Sequence, residues 1–251
     1  MPMPDDVQEH RDWLLSLLAV PAAGHVVDLG CGRGEDLLRL AALHPHPALH
    51  FTGVDAAEGS IAAARGAAAG DPRIAFVRHH LADPLPFPDA SVDAIFSHNL
   101  LECLRDPAAF VRETARVLRP GGGVVVAHWD WDSQLWDGAD RARVRRVVHA
   151  FADWQQGWME HADGWMGRRL HGLFASSGAF AGGVHARVLT NTAFAAPGYG
   201  HARAQDVRSL VRHGRLAADD AGRFLAEQAR LHAAGRYVYG ITGFAYVGRR
   251  A

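Results

Sequence analysis

Short apolar runs alternate with helical stretches between residues 25 and 129, and this alternation constrains the fold more than any other feature of the sequence. The stretches EDLLRLAAL, EGSIAAARGAAA and DPAAFVRETARVL carry apolar residues at the spacing of a helix face. The apolar runs are HVVDLG (25–30), LHFTGVD (49–55), RIAFVRHH (73–80), SVDAIFSH (91–98) and GVVVAHW (123–129). Continuous apolar strands joined by helices predict a parallel sheet that helices cover on both faces.

Two more strands are expected near the C-terminus, VHARVLTNT (184–192) and YVYGITGFAYVGRR (237–250), with one or two helices between them. They are similar enough in type to pair antiparallel at the edge of the sheet. Residues 5–19 predict an amphipathic helix, and residues 138–180 break the alternation and predict a helical insertion.

Composition narrows the class of protein. The 251 residues are 49% apolar, enough for a large core, and the 26 basic and 27 acidic residues leave a net charge of −1, so nucleic acid is not an expected ligand. Cys31 and Cys103 form no C-x-x-C pair, so we expect a reducing, cytoplasmic compartment with no disulfide framework or cysteine zinc site. No signal-peptide pattern and no apolar run of 18 residues occurs, so no membrane association is expected.

The stretch VVDLGCGRGE is the most informative motif. A buried strand ends near Asp28, and Gly30, Gly32 and Gly34 follow at every second position before a helix begins. Glycines there permit a tight turn and a close approach of backbone to a ligand at a helix N-terminus. The dinucleotide fingerprint G-x-G-x-x-G is not matched, and the chain has no lysine, so a nicotinamide-dependent dehydrogenase is not favoured.

The arrangement D-x-G-x-G-x-G resembles motif I of class I S-adenosylmethionine-dependent methyltransferases, of the UbiE-like small-molecule type. Asp55 at the end of the second strand and Asp83 after the third agree in order and spacing, as does VLRPGGGVVV before strand five, and the resemblance covers about residues 20–130. It implies that Asp55 accepts hydrogen bonds from the ribose hydroxyls and that Asp83 reads the adenine amino group. The cofactor-binding residues implied are Asp28, Gly30, Cys31, Gly32, Asp55, Ala56, Leu81, Ala82, Asp83 and His98. The alternative for the three aspartates is that they cap turns.

The resemblance also organises the fold. It implies a single α/β, Rossmann-like domain with a seven-stranded, mostly parallel sheet, an antiparallel edge strand, helices on both faces and a helical insertion that forms a cap. The divisions expected are 1–20 for an N-terminal lid helix, 21–130 for the cofactor-binding core, 131–182 for the cap and 183–251 for the remaining strands and helices.

The segment HWDWD follows strand five, where the methyl acceptor is expected to bind. We predict His128, Asp130 and His161 as catalytic residues, with His128 and Asp130 orienting or deprotonating the acceptor. Residues Phe151, Trp154, Trp158, His161 and Trp165 keep helical spacing and form one predicted stripe, which packs the insertion on the sheet, lines a pocket, or does both. Gly157 and Gly164 disfavour a single straight helix there and predict breaks in it. The residues predicted to line the acceptor pocket are Trp13, Asn99, Trp131, Trp158, Trp165 and Tyr199.

These observations predict an enzyme that moves a methyl group from S-adenosylmethionine to N, C or O of a small aromatic or cationic metabolite, leaving S-adenosylhomocysteine. Specialised metabolism is the expected context, and a monomer or homodimer is the expected state. We expect no metal, although Asp130 or Asp132 could be a ligand in a metal-dependent O-methyltransferase. A non-catalytic S-adenosylmethionine-binding protein is the other alternative. The absence of an N-P-P-Y-type motif at SHNLLE disfavours a nucleic-acid methyltransferase.

Overall fold

The computed structural model describes residues 5–251 of the chain, in which strands and helices alternate as far as Arg78. The strands of that part are β1 (Gly24–Leu29), β2 (Leu49–Asp55), β3 (Ile74–Arg78), β4 (Val92–His98), β5 (Leu118–Trp136), β6 (Phe180–Asn191) and β7 (Tyr239–Arg250). Its helices are α1 (Asp5–Ser16), α2 (Glu35–Leu43), α3 (Glu58–Ala67), α4 (Pro107–Val117), α5 (Arg141–Ala152), α6 (Met166–Ser177), α7 (Tyr199–Arg212) and α8 (Ala218–Ala233), with a 3-10 helix over Leu101–Cys103.

The seven strands form one sheet in the order β3-β2-β1-β4-β5-β7-β6, mostly parallel with an antiparallel pair at one edge, which confirms the predicted fold class. Strand β1 pairs in parallel with β2 and with β4, so that Asp28 lies beside Gly53 on one side and Phe96 on the other. The carboxyl ends of these strands therefore meet at one edge. The strand order reverses between β1 and β4, and such switch points are where open α/β sheets bind ligands.

The chain divides into two compact units. The larger comprises Trp13–His128, Arg169–His185 and Ala245–Ala251, and the smaller comprises residues 5–12, Trp129–Arg168 and Ala186–Phe244. In the larger unit, Leu37 and Leu40 of α2 share one face because they lie three residues apart, and they pack with Phe51 and Phe96 of the sheet in one buried apolar cluster.

Two apolar clusters build the smaller unit. One gathers Trp129, Tyr237 and Tyr239, and the other gathers Val147, Val207 and Phe224 from α5, α7 and α8. Arg146 of α5 donates two hydrogen bonds to Asp220 of α8, at 2.8 and 2.9 Å, which joins these helices at their surface.

One sequence-based expectation about the elements, the length of strand five, was wrong. Strand five does not end at residue 129 but continues to Trp136, so the boundary predicted between residues 130 and 131 falls inside β5. The stripe from 151 to 165 is not one helix, because α5 ends at Ala152 and the chain forms turns until α6 begins at Met166. The reason is local: a Cβ at Gly164 would collide with the carbonyl oxygen of Ala152, so the chain returns against the end of α5.

Candidate functional site

A glycine turn connects β1 to α2 at the carboxyl edge of the parallel strands. Gly30, Gly32 and Gly34 have φ angles of +79°, +51° and +80°, in the left-handed region that side chains disfavour. The N–H groups of Gly30 and Cys31 donate to the carbonyl oxygen of Val54 in β2, at 2.8 and 3.0 Å. The turn is therefore fixed to the end of the neighbouring strand, and its conformation explains the recurrence of glycine.

The three glycines differ in what a side chain would meet. A Cβ at Gly34 would lie 2.7 Å from Cζ of Phe76, and one at Gly30 would lie 3.0 Å from Cβ of Leu100. A Cβ at Gly32 would meet nothing within 4 Å among residues 5–251. Close packing thus accounts for Gly30 and Gly34, whereas Gly32 presents bare backbone to open space, as a loop that cradles a ligand does.

Asp55 ends β2 and its carboxylate lies directly against the glycine turn. Oδ2 accepts a hydrogen bond from the N–H of Gly32 at 2.9 Å, and Oδ1 accepts one from the N–H of Ala57 at 2.8 Å. Asp55 is partly exposed, and each carboxylate oxygen can accept a second hydrogen bond. Two backbone donors therefore orient the carboxylate, and acceptor capacity remains for the two hydroxyls of a diol.

Three further polar residues of the larger unit lie at this edge. Asp28 in β1 is 2% exposed. His98 ends β4, and its Nδ1 lies 3.7 Å from Oδ2 of Asp36 in the first turn of α2. Asp36 is buried and was missed at the level of sequence, because an acidic residue in the first turn of a helix is also common where nothing binds.

The turn after β3 carries the residues predicted to contact adenine. Leu81 is buried, whereas Ala82 and Asp83 are exposed, as is Ala56 after β2. Strand β3 pairs in parallel with β2, so this turn leaves the sheet at the same edge as Asp55. A buried apolar side chain beside an exposed carboxylate suits a flat ring with a polar rim, and the contacts of these residues remain predictions.

Other predicted residues of the larger unit have varied surroundings. Burial raises the pKa of the Cys31 thiol, with the carboxylates of Asp28 and Asp55 adding to the rise, so Cys31 is a protonated side chain of the turn. Trp13 is partly buried and packs against the apolar cluster of the larger unit. Asn99, directly after β4, has a φ of +55°, which is uncommon for a residue other than glycine and recurs at functional sites.

His128 is placed differently from what its predicted role requires. Its side chain is 1% exposed, and its Nε2 accepts a hydrogen bond from the N–H of Leu101 at 2.8 Å. Burial lowers the pKa of His128 well below its ordinary value of 6.5, and the nearby His98 lowers it further. The nitrogen that would take a proton is already an acceptor inside the protein, so the geometry corrects the expectation that His128 is a general base.

Asp130 is also committed to a partner within the smaller unit. The carboxylate is 1% exposed, and both of its oxygens accept hydrogen bonds from Arg168, at 2.5 and 2.6 Å. Arg168 lies over the ring of Trp165, 4.6 Å from its centroid, and Trp165 donates from Nε1 to Asp132 at 3.1 Å. Such a bidentate pair favours a structural role for Asp130 over proton abstraction or metal ligation.

Aromatic rings collect around Trp129 in the smaller unit. His10 of α1 stacks on Trp129 at 4.0 Å between ring centroids, and Tyr199 lies 5.3 Å from the same ring. The guanidinium of Arg203, one turn further along α7, lies over Tyr199 at 4.9 Å. A Cβ at Gly243 would collide with His10, so the glycine makes room for the stacked imidazole. His10, Trp129 and Arg203 were not predicted as site residues, and the ring contacts of Trp129 with His10 and Tyr199 join segments far apart in the sequence.

The other aromatic residues predicted for the insertion have different surroundings. Trp131 contacts Phe151 at 5.2 Å, but Trp158 is 68% exposed and donates from Nε1 to Gln156. His161 is exposed in the turn segment, and its role as a base stays a prediction. Residues 5–251 contain no group of three His, Cys, Asp or Glu side chains placed to hold a metal ion, and no helix in that range is long and apolar enough to cross a membrane.

Comparison with solved structures finds proteins of the same fold. A putative methyltransferase of Bacillus halodurans C-125 superposes with a TM-score of 0.63 at 15% identity, over 96% of this chain and 98% of that chain. At this level of identity the likeness concerns the fold alone.

Sequence comparison gives similarity to methyltransferases over part of the chain. A family model described as a methyltransferase domain matches residues 27–126. The chain is 33% identical over 140 residues to a 27-O-demethylrifamycin SV methyltransferase of Amycolatopsis mediterranei, covering 54% of this chain and 50% of the relative. It is 32% identical over 130 residues to the ubiquinone/menaquinone biosynthesis C-methyltransferase UbiE of Geobacter sulfurreducens, covering 51% and 47%. The chain is therefore similar, over residues 27–126, to methyltransferase domains. It spans about half the length of these relatives.

The matched segment contains the whole glycine turn and the end of β2. S-adenosylmethionine is the cofactor of this methyltransferase family. Three observations fit such a ligand: the open backbone at Gly32, the braced carboxylate of Asp55, and the start of α2 beyond Gly34, where no side chain caps the helix. Backbone N–H groups there suit a carboxylate, and Asp55 suits a ribose.

Proposed function

We propose that this chain transfers a methyl group from S-adenosylmethionine to N, C or O of a small-molecule acceptor. The observation that carries the proposal is the bare backbone of Gly32, braced by Asp55 at the switch point of the sheet. A turn that only joined a strand to a helix would not need both an open glycine and a carboxylate fixed against it.

The residues that would hold the cofactor follow from their chemistry. Asp55 would accept hydrogen bonds from the ribose hydroxyls, and Asp83 would read the adenine amino group beside Leu81 and Ala82. Asp28 or the carbonyl oxygen of His98 would accept from the ammonium of the methionine end. The first N–H groups of α2, beyond Gly34, would favour its carboxylate, because the N–H groups of Gly30, Cys31 and Gly32 already donate within the turn and to β2.

Methyl transfer depends on the alignment of the acceptor with the methyl group more than on acid–base groups. Bound S-adenosylmethionine would supply a methyl group on sulfonium sulfur: an electron pair of the acceptor, a lone pair on N or O or a π pair on C, would form the new bond to carbon while the C–S bonding pair stays on sulfur. The chain therefore has to hold the acceptor in line and exclude water. A base is needed only if the acceptor loses a proton, and His161 is the exposed candidate that remains.

We propose an aromatic or cationic acceptor. Trp131 and Tyr199 of the smaller unit are partly buried aromatic residues packed beside the buried Trp129, and aromatic surfaces favour flat or positively charged groups. The relatives named for demethylrifamycin and for ubiquinone and menaquinone biosynthesis support a small molecule, and the former supports specialised metabolism. A cytoplasmic location, a monomer or homodimer, and the lack of a nucleic-acid partner remain predictions.

Native mass spectrometry of the purified protein tests the function directly. We expect co-purified S-adenosylhomocysteine, and calorimetry should then show that Asp55→Ala removes its binding, whereas Glu58→Ala, an exposed residue of α3, leaves it unchanged. Unchanged affinity in Asp55→Ala would overturn the cofactor site. Tight binding without turnover of any aromatic or cationic acceptor would favour a non-catalytic binding protein, and turnover that a chelator abolishes would favour metal-dependent transfer.

A further inference from the structure

The segment between β4 and its 3-10 helix is held by two consecutive residues of β5. The N–H of Asn99 donates to the carbonyl oxygen of Ala127 at 2.9 Å, and the N–H of Leu101 donates to Nε2 of His128 at 2.8 Å. The first of these bonds prolongs the β4–β5 ladder, in which His98 lies beside Ala127. The second is made by a side chain and so depends on the identity of residue 128.

The Leu101 N–H needs a partner from outside its own helix. Leu101 is the first residue of the 3-10 helix, and the first N–H groups of any helix have no intrahelical acceptor. Its side chain is fully buried and the bond to His128 is buried as well, so water is not a ready substitute. His128 therefore acts as a cap inside the core, a role that side chains such as Ser or Asp usually have at exposed helix ends.

The capped segment touches the glycine turn. Leu100 lies so close to Gly30 that a Cβ on the glycine would be 3.0, 3.2 and 3.3 Å from three of its side-chain carbons. Asn99 keeps its left-handed φ of +55° between the two hydrogen bonds to β5. A shift of the segment would thus change both the packing on the turn and the direction of Asn99.

The hydrogen bond also fixes the state of the imidazole. Because Nε2 accepts from an amide, it carries no proton, and the neutral ring carries its hydrogen on Nδ1. Burial lowers the pKa of His128, which acts in the same direction.

We propose that His128 is a positioning residue of the methyltransferase: as a neutral, Nδ1-protonated imidazole it holds the 99–101 segment against the glycine turn and so sets the affinity for the adenosyl ligand. The ligand part of this inference rests on the proposed function. The hydrogen-bond part stands by itself, since it concerns only Leu101 and His128.

The test compares two replacements of His128. In His128→Gln, Oε1 is as many bonds from Cα as Nε2 is in histidine and can accept from Leu101, whereas His128→Leu fills similar space and accepts nothing. We expect the Gln variant to bind S-adenosylhomocysteine within about threefold of the unaltered protein, and the Leu variant to bind about tenfold more weakly or worse, measured by calorimetry. The amide of Leu101 should exchange its hydrogen slowly in His128→Gln and much faster in His128→Leu.

His25→Gln is the matched control. His25 is a partly buried strand histidine whose Nε2 lies 2.8 Å from the side-chain oxygen of Thr52. Its replacement should leave ligand affinity unchanged. Equal affinity in the Gln and Leu variants would overturn the positioning role. Nitrogen-15 NMR of the unaltered protein provides a readout that does not depend on folding of the variants, and a proton found on Nε2 of His128 would overturn the hydrogen bond.

Failure of the proposed function is distinguishable from failure of this inference. A protein that binds no S-adenosylhomocysteine, yet shows Nδ1 protonation and a protected Leu101 amide, would contradict the methyltransferase assignment and retain His128 as the cap. Tight binding of S-adenosylhomocysteine together with an unprotected Leu101 amide would support the methyltransferase assignment and contradict His128 as the cap.

Discussion

Replacing Gly32 by alanine separates a glycine needed for a ligand from a glycine needed for the fold. Gly32 has a φ of +51°, and a Cβ there would meet nothing within 4 Å among the described residues. The added methyl group therefore creates no clash inside the protein. It occupies the open space in which we expect the methionine end of the cofactor.

The effect on stability can be worked from the backbone angle. The left-handed conformation costs alanine roughly 1–2 kcal/mol relative to glycine. Alanine also removes about 0.4–1 kcal/mol of conformational freedom from the unfolded chain, which offsets part of that cost. The net loss is about 1 kcal/mol, or about 2–4 °C in Tm for a chain of this length.

The loss of binding free energy should be larger than the loss of folding free energy. A methyl group in the ligand's space should weaken S-adenosylhomocysteine binding by about tenfold or more, which corresponds to about 1.4 kcal/mol. Calorimetry measures the affinity at a temperature well below Tm, where the variant remains folded. Thermal unfolding without ligand measures the stability of the same samples.

Two other glycine variants serve as controls for Gly32→Ala. Gly59→Ala changes a residue of α3 whose Cβ would also meet nothing within 4 Å; it should raise stability by about 0.5–1 kcal/mol and leave binding unchanged. Gly34→Ala combines a φ of +80° with a Cβ 2.7 Å from Phe76, and should lower stability by about 2–4 kcal/mol. If Gly32→Ala binds S-adenosylhomocysteine as tightly as Gly59→Ala does, the open space at Gly32 is not the cofactor site.

Three further perturbations follow from the same contacts. Asp55→Asn should fold, because an amide oxygen still accepts one of the two backbone N–H bonds, but calorimetry should show S-adenosylhomocysteine binding about tenfold weaker; wild-type affinity would contradict the ribose contact. Arg168→Met leaves the buried Asp130 carboxylate without its bidentate partner, so urea unfolding should show a loss of about 2 kcal/mol or more, discounted for the exposure of Arg168, and Arg168→Met with Asp130→Leu should recover most of it. The pKa of His128 is lower in the folded than in the unfolded chain, so the unfolded chain binds more protons below pH 6.5 and stability falls on acidification, by at most about 1.4 kcal/mol per pH unit from this group. In His128→Gln the urea midpoint should therefore fall less between pH 7 and pH 5.5 than it does in the unaltered protein. An equal fall of the midpoint in both proteins would show that His128 does not cause the pH dependence.

The parallel half of the sheet was predictable because its strands are buried on both faces. Such strands are continuous apolar runs, and HVVDLG at 25–30 became β1 over Gly24–Leu29 for that reason. The glycine turn was predictable as well, since a left-handed backbone restricts the residue type. Neither inference needs knowledge of a distant partner.

Strand β5 was predicted too short because its later half is polar in composition yet buried in part. Asp130 is buried because Arg168, 38 positions away, donates to both of its oxygens. Ser133 accepts a hydrogen bond from the N–H of Thr242 of β7 at 2.9 Å, which is again a partner far along the chain. A local pattern of apolar residues carries no information about either bond, so the apolar run ended before the strand did.

The break in the stripe at 151–165 could be predicted from its glycines, but the path of the chain there could not. Residues at helical spacing form one face only if the backbone is helical between them, and Gly157 and Gly164 interrupt the segment. Gly164 is needed because the chain passes against the carbonyl of Ala152, and its own carbonyl accepts from the N–H of Trp131 at 2.9 Å. Spacing alone could not reveal that return.

The roles of polar residues at strand ends depend on what hydrogen-bonding capacity the fold leaves them. Asp55 and His128 both accept backbone N–H groups beside the same sheet edge, and the sequence makes them equally good candidates for chemistry. Asp55 is partly exposed and each of its oxygens can accept again, whereas His128 is sealed and its acceptor nitrogen is taken by Leu101. Asp130 is committed to Arg168 in the same way. We therefore expect the ligand at the glycine turn and Asp55, whereas His128 and Asp130 lie inside β5 and already hold partners of their own.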